Sequence, residues 1–131
     1  MITTSSKKTL LLIDDEYVIQ QIMQVCLDNL SNWKMLIATS GKEGLRMIAQ
    51  AKPDAVLLDM MMPDMNGFEV LAKLQADAEL ADIPVILLTA CTSRIANHQT
   101  LLELGCKGLI SKPFEPLTIV SQIAKILGWQ P

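Results

Sequence analysis

Short apolar runs alternate with helix-like patterns along this chain, and no other feature limits the fold as much. Each run has three to five residues and ends at an acidic, polar or turn-forming residue, which is typical of a buried strand. Strands that alternate with helices predict an α/β domain with a parallel sheet. The five predicted strands are Thr9–Ile13, Lys34–Ala38, Ala55–Leu58, Val85–Leu88 and Gly108–Ile110.

Five helices are predicted between and after these strands, from apolar residues at three- and four-residue spacing. Ser40 is the expected N-cap of the second helix, and Gly105 and Gly128 are expected to end the last two. Pro116 is expected to open the last helix. The helical patterns are about Glu16–Leu30, the segment after Ser40 with Leu45 and Ile48, the segment with Val70, Leu71 and Leu74, Ile95–Leu104, and Pro116–Leu127.

The composition fits one compact domain. The chain has 131 residues, of which 50% are hydrophobic and 19% charged, and it contains neither a linker nor a repeat. Residues 1–8 are polar and are predicted to be a flexible lead-in, so the domain is expected to span residues 9–128. They lack the apolar core of a signal peptide, and no apolar run is long enough to cross a membrane. We therefore expect a cytoplasmic protein without a membrane partner.

Charge and cysteine usage argue against two further classes of protein. The net charge is -3 and there is no long run of Lys or Arg, which argues against direct nucleic-acid binding through a broad basic face. The three cysteines, Cys26, Cys91 and Cys106, lie far apart, and His98 is the single histidine. This pattern indicates reduced cysteines in a core rather than a zinc site.

Polar side chains stand where the predicted strands end. Asp14 and Asp15 follow the first strand, Asp59 the third, Thr89 the fourth and Lys112 the fifth. Ligands of open α/β sheets bind outside the carboxyl ends of the strands, so we expect these side chains to converge. Clustered carboxylates repel unless a cation joins them, and Mg²⁺ is the hard cation that suits oxygen ligands. The lysine and the threonine suit an anion, and a phosphoryl group bridged to Mg²⁺ fits both halves of the site.

Four ordered motifs resemble those of bacterial two-component response-regulator receiver domains of the single-domain, chemotaxis-regulator type. The resemblance covers about Thr9 to Leu127. It implies a flavodoxin-like, doubly wound (βα)5 three-layer sandwich whose five-stranded parallel sheet has the strand order 2-1-3-4-5. The motifs are Asp14-Asp15, the loop from Asp59 through Met60-Met61-Met62-Pro63-Asp64-Met65-Asn66-Gly67, Thr89-Ala90, and Lys112-Pro113-Phe114.

The resemblance also implies site roles. Asp59 would be the phosphoacceptor, a carboxylate nucleophile toward a phosphohistidine or a small phosphodonor. Asp14 or Asp15 (or both), Asp59 and the backbone carbonyl of Met61 would hold Mg²⁺, for which Mn²⁺ could substitute. Lys112 would pair with phosphoryl oxygens.

Thr89 would donate a hydrogen bond to the attached phosphoryl group and start the conformational switch, and the Lys112–Pro113 bond would be cis. Such a protein is a signalling switch rather than an enzyme, and catalyses only its own phosphorylation and slow autodephosphorylation.

The implied partners are a sensor histidine kinase or a histidine phosphotransfer protein, together with a downstream protein target. Only four residues follow Leu127, which leaves no room for an output domain. We therefore expect the output to be contact with another protein or onward phosphotransfer, unless the chain is a fragment of a larger regulator.

Three positions depart from the family pattern. Leu109 stands where an aromatic residue usually takes part in the switch, which puts its coupling to Thr89 in doubt. Met61 and Cys91 flank the phosphorylation site where polar side chains often admit the hydrolytic water. We hypothesise that they impede this water, so that phospho-Asp59 is comparatively long-lived.

The last helix carries more apolar surface than one core stripe requires. We predict that part of its second stripe, with Trp129, forms a partner or homodimer surface. The alternative is a broad helix face that is buried in its own domain. The first stripe contains Leu117, Val120, Ala124 and Leu127, and the second contains Ile119, Ile123 and Ile126.

Other function classes fit less well. Phosphatases of the haloacid-dehalogenase type usually carry a second aspartate two residues after the nucleophile, where this chain has Met61. Nucleotide-binding α/β proteins carry GxGxxG or GxxxxGK[ST], and neither is present. A receiver that serves as an unphosphorylated scaffold is a further alternative, and the intact acidic cluster and lysine argue against it.

Overall fold

The computed structural model describes residues 7–90 and 103–131. Its five strands form one parallel sheet in the order β2-β1-β3-β4-β5, which confirms the predicted fold class and strand order. The strands are β1 (Thr9–Ile13), β2 (Lys34–Ala38), β3 (Ala55–Asp59), β4 (Val85–Thr89) and β5 (Gly108–Ser111). The described helices are α1 (Tyr17–Leu30), α2 (Gly41–Ala51), α3 (Gly67–Gln75) and α4 (Ile119–Leu127).

All five predicted strands are present, and the last three extend one residue further than predicted. Asp59 pairs in register with Leu88, and Thr89 pairs with Ser111, so the ladders continue through the polar residues. The site residues Asp59 and Thr89 are therefore part of the sheet itself, which fixes their backbones.

The two faces of the sheet pack against different helices. Along β1, Leu11 and Ile13 belong to the core cluster that contains residues of α2 and α3. Leu10 and Leu12 belong to the cluster that contains residues of α1 and α4. Successive side chains of a strand point to opposite faces, so the chain forms three layers, with the sheet in the middle.

The predicted helix signals have mixed outcomes. Ser40 is the N-cap of α2, and its Oγ accepts a hydrogen bond of 3.1 Å from the backbone N–H of Glu43. Gly128 ends α4 in the left-handed conformation, with φ of 73°. The prediction that Pro116 opens the last helix is wrong by three residues. The Glu115 carbonyl accepts from the N–H groups of both Thr118 and Ile119, which makes a turn before the regular helix begins.

The predicted helix Ile95–Leu104 lies mostly outside the described residues, as do Cys91 and His98. Glu103 and Leu104 are helical, and Gly105 follows with φ of 80°. Within residues 7–90 and 103–131, no helix has both the length and the apolar character that crossing a membrane requires.

The second stripe of the last helix is mainly core, which limits the predicted partner surface to its half-buried residues. Ile119 and Ile123 are fully buried, and Ile126 and Trp129 are half-buried against the same cluster. Because α4 packs on the sheet beside α1, it buries two adjoining stripes, and the alternative of a broad helix face inside the domain holds. Leu117, placed in the first stripe, precedes the helix and is 79% exposed.

Candidate functional site

Asp14 follows β1 directly and is completely buried. Its backbone N–H donates to the Ala38 carbonyl, and its own carbonyl accepts a hydrogen bond of 2.7 Å from Gln20 Nε2. Its carboxylate atom Oδ1 accepts a hydrogen bond of 2.9 Å from the backbone N–H of Glu16. The turn into α1 therefore holds this carboxylate at the edge of the sheet.

Asp59 is the last residue of β3, in the centre of the sheet, and is only 3% exposed. The chain beyond it is held by a hydrogen bond of 3.1 Å from the Met60 N–H to the Leu88 carbonyl. Asp59 Oδ1 accepts from the N–H of Met61 at 3.3 Å. The other face of this turn lies against the start of α3, where the Gly67 N–H donates to the Met60 carbonyl.

Lys112 brings the buried carboxylates together. Its Nζ lies 2.9 Å from Asp14 Oδ2, 3.2 Å from Asp59 Oδ1 and 3.2 Å from Glu16 Oε1. The N–H of Lys112 donates to the Thr89 carbonyl, which anchors the lysine to the end of β4, and the Lys112–Pro113 peptide bond is cis. The lysine side chain is 12% exposed, so this ammonium balances part of the acidic charge away from bulk water.

Three carboxylates lie close enough together to hold a divalent cation. Asp14, Asp15 and Asp59 each offer one oxygen, and these oxygens lie within 4.8 Å of one another. Asp14 Oδ2 is buried and has no hydrogen bond of good geometry among the described residues, although Lys112 lies beside it. A buried carboxylate oxygen without such a bond, next to two other acids, fits a hard cation such as Mg²⁺.

The surroundings of Asp59 and Lys112 shift the pKa values of both side chains. Burial raises the pKa of the Asp59 carboxyl, and the charge of Asp14 raises it further, against the opposing effects of Lys112 and the Met61 N–H. Burial lowers the pKa of Lys112. Its close contacts with Asp14 and Asp59, together with the negative charges of both carboxylates, outweigh burial and raise the pKa above its usual value. The lysine is therefore charged, and a further cation would relieve the remaining repulsion between the acids.

The other predicted site residues differ in burial and position. Thr89 is 3% exposed and ends β4, beside Ser111 of β5. Leu109 is half-buried and packs against the core on the α2 and α3 side of the sheet. The side chain of Met61 is 75% exposed, so this residue faces the site through its backbone. Cys91 lies outside the described residues.

Two polar contacts were not foreseen from the sequence. Glu16 reaches Lys112 across 96 positions of sequence, and no short motif marks such a pair. Asp64 accepts hydrogen bonds from the N–H groups of Gly41 and Lys42, at 3.2 and 3.1 Å, and so caps α2 from the loop after β3. The preference of helix N-termini for acidic groups could suggest a capping role, but not which helix Asp64 caps.

Sequence comparison gives matches over nearly the whole chain. The family model described as "Response regulator receiver domain" matches residues 10–124. The phosphate regulon transcriptional regulatory protein PhoB of Pseudomonas aeruginosa is 35% identical over 92% of this chain and 52% of its own length. A probable transcriptional regulator, ycf27 of Guillardia theta, is 34% identical over 96% of this chain and 48% of its own length. The chain thus spans about half the length of these relatives.

A solved structure covers almost the same span as this chain. The chemotaxis response regulator CheY4 of Vibrio cholerae superposes with a TM-score of 0.82 at 26% identity, over 92% of this chain and 99% of that one. The segment that matches the family model includes the buried acids, the threonine and the lysine at the strand ends. The chain belongs to the response regulator receiver domains, the phosphorylation-activated switches of two-component systems.

Proposed function

We propose that Asp59 is the phosphoacceptor of this receiver domain and that phosphorylation changes its contacts with other proteins. Receiver domains take phosphoryl groups from histidine kinases or phosphotransfer proteins. The observation that carries the proposal is a buried carboxylate at the end of the central strand, 3.2 Å from the ammonium of Lys112. Carboxylates held in this way beside a cation can act as nucleophiles toward phosphorus.

The transfer step follows from these positions. One carboxylate oxygen of Asp59 forms a bond to phosphorus, while the P–N bond of the donor phosphohistidine breaks. The imidazole leaves with the electron pair of that bond and takes up one proton from solvent. The product is an acyl phosphate on Asp59, and its hydrolysis returns the carboxylate and inorganic phosphate.

Mg²⁺ would be held by Asp14, Asp15, Asp59 and the backbone carbonyl of Met61, and Mn²⁺ could take its place. When bound, the ion neutralises charge on the phosphoryl oxygens that are transferred. Lys112 lies beside Asp59 and binds a phosphoryl oxygen there. Thr89, at the end of the neighbouring strand, donates a hydrogen bond to another and so transmits the modification to the sheet edge. Since Leu109 replaces the usual aromatic residue, the switch relies on Thr89 and aliphatic repacking.

Exposed apolar side chains lie on segments around the site. Tyr17, Val18 and Leu117 lie on segments that leave the carboxyl edge, and each is at least 64% exposed. We propose that such apolar side chains contact the kinase or phosphotransfer protein. We further propose a receiver domain spanning residues 9–128 after a short lead-in, a cytoplasmic location, and a downstream protein target. A homodimer through the last helix would use its outer residues, since Ile119 and Ile123 are buried.

Phosphoryl incorporation tests the proposal. The protein is incubated with acetyl phosphate or phosphoramidate, in Mg²⁺ or in EDTA, and its intact mass is measured under mildly acidic conditions. The proposal predicts one added phosphoryl group in the wild type with Mg²⁺, and none in EDTA or in Asp59→Asn. Equal incorporation into Asp59→Asn would contradict it.

Slow hydrolysis is the second property we propose. Met61 lies two residues after Asp59, where it offers an apolar side chain that is 75% exposed. We propose that this side chain hinders the attacking water, together with Cys91. Met61→Asn should shorten the lifetime of the phosphorylated protein after the donor is removed, and Met61→Leu should leave it unchanged. A Met61→Asn protein that loses its phosphoryl group no faster than the parent would refute the hypothesis.

A further inference from the structure

We infer that Glu16 is a competing anion for Lys112, which holds the ammonium in the unphosphorylated site and opposes the arrival of a phosphoryl group. The inference rests on the proposed role of Asp59 as phosphoacceptor. It gives a regulatory function to a residue outside the set of three carboxylates that could hold the cation.

Glu16 contacts the ammonium of Lys112 directly. Lys112 Nζ donates a hydrogen bond to Glu16 Oε1 at 3.2 Å, the same distance that separates Nζ from Asp59 Oδ1. The three acids around the ammonium nevertheless differ in exposure. The side chains of Asp14 and Asp59 are 0% and 4% exposed, whereas that of Glu16 is 60% exposed.

The position of Glu16 in the helix provides a second observation. Glu16 is the N-cap of α1, where an acidic side chain could accept hydrogen bonds from the first N–H groups, yet its side chain makes no such bond. Of the other described N-caps, Ser40 and Asn66 make such a bond, whereas Thr118 of α4 makes none. The backbone N–H of Glu16 is instead fixed on Asp14 Oδ1, and its side chain is directed to Lys112.

A phosphoryl group on Asp59 requires the same ammonium. It carries up to two negative charges, so the Glu16 carboxylate both occupies its partner and repels it. Release of Glu16 needs no buried charge to move, because the side chain is already mainly in water. The contact is therefore weak enough to yield to phosphorylation, and exposed ion pairs of this kind change equilibria by about two- to fivefold.

The test compares Glu16→Gln with a matched control in the same loop as the lysine. Glu115→Gln removes one negative charge three residues after Lys112, and Glu115 bonds to the Leu117 N–H rather than to the lysine. Two quantities are measured with saturating Mg²⁺: the rate of phosphorylation by acetyl phosphate, and the concentration of beryllofluoride, a phosphoryl mimic, that half-saturates the protein. We expect Glu16→Gln to raise the rate and lower the half-saturating concentration, each by about two- to fivefold, with Glu115→Gln unchanged.

Ionic strength adds a readout that a purely structural role would not change. Salt screens exposed charges, so the difference between Glu16→Gln and the wild type should shrink as salt is raised. A Glu16→Gln protein that reacts at the same rate or more slowly would overturn the inference, as would an equal gain in Glu115→Gln. If the wild type takes up no phosphoryl group on Asp59, the proposed function fails first, and the inference fails with it.

Discussion

The two ends of the sheet differ in their buried contacts, which are between charged groups at one end and between aromatic rings at the other. At the carboxyl end, the buried acids Asp14 and Asp59 face each other with Lys112 between them. At the amino end, Trp33 precedes β2 and packs edge-on against Trp129, with ring centroids 5.2 Å apart. The Trp33 Nε1–H donates a hydrogen bond to the Gln130 carbonyl, so the polar group of this indole is paired.

The contrast indicates how stability and function are divided. Apolar contacts and satisfied hydrogen bonds at the amino end stabilise the fold. The carboxyl end retains repulsion between like charges that a phosphoryl group and a cation can exploit. Sites that carry chemistry commonly sacrifice stability in this way. Changes at the amino end should therefore alter the free energy of unfolding and spare phosphorylation, whereas changes at the carboxyl end should alter phosphorylation.

The largest expected effect on stability is at the amino end. Trp33→Ala removes a side chain that is only 6% exposed and should lower the free energy of unfolding by about 3 kcal/mol. Urea denaturation measures the loss, and Trp33→Phe, which keeps the apolar ring, should lose less. The rate of phosphorylation by acetyl phosphate, measured on the folded protein, should stay at the wild-type value. A comparable loss of rate would mean that the two ends are coupled.

A glycine at each end sharpens the comparison. A Cβ on Gly67 would lie 3.0 Å from Met60 Cα and 3.1 Å from Asp59 O, so Gly67→Ala should displace the Asp59 backbone. We expect it to lower the free energy of unfolding by about 2 kcal/mol and to slow phosphorylation. The matched control is Gly128→Ala, where the Cβ would meet no atom within 4 Å but φ is 73°. It should lower the free energy of unfolding by about 1 kcal/mol without slowing phosphorylation.

A small effect of opposite sign, a gain in stability, is expected at the carboxyl end. Asp59→Asn removes one of two facing charges and should raise the free energy of unfolding in EDTA by about 1 kcal/mol at neutral pH. Because burial, followed by the charge of Asp14, raises the pKa of Asp59, the stability linked to this group is present at low pH and lost as pH rises through the folded-state pKa. The advantage of the variant should therefore vanish in acid, and an advantage that grew there would contradict this account.

Asp64 provides a control of opposite sign for the pH series. The N–H of Gly41 lowers the pKa of the Asp64 carboxyl, and the N–H of Lys42 also lowers it. Its contribution to stability is therefore present above the unfolded-state pKa and is lost as pH falls through the folded-state pKa. Asp64→Asn should be less stable than the wild type at neutral pH, and the two should converge in acid.

The sequence predicted the strands well because each buried strand is a short apolar run with a polar end. β1 and β2 begin and end where predicted. Asp14 and Asp59 lie close together because they stand at the carboxyl ends of the neighbouring strands β1 and β3. The topology required the resemblance to a family, since the order of strands leaves no periodic signal. Within the described residues, most site residues stand at the strand ends that the alternation of strands and helices predicted.

The features that the sequence did not predict depend on contacts between distant segments. A helix with two apolar stripes does not reveal whether both are covered, and burial of Ile119 and Ile123 depends on how α4 packs on the sheet beside α1. The Glu16–Lys112 pair depends on the rotamers of two long side chains, and the Asp64 cap on where the loop after β3 meets α2. Neither hydrophobic periodicity nor motif spacing reports such long-range geometry.

The most direct test of the account is to locate the phosphoryl group chemically. After phosphorylation with Mg²⁺, borohydride reduction converts an acyl phosphate on aspartate into homoserine, and peptide mass mapping shows where the change lies. We expect homoserine at position 59 alone. Homoserine at position 14 or 15 instead, or a phosphoryl group that survives reduction on another side chain, would contradict the assignment of Asp59 as the phosphoacceptor.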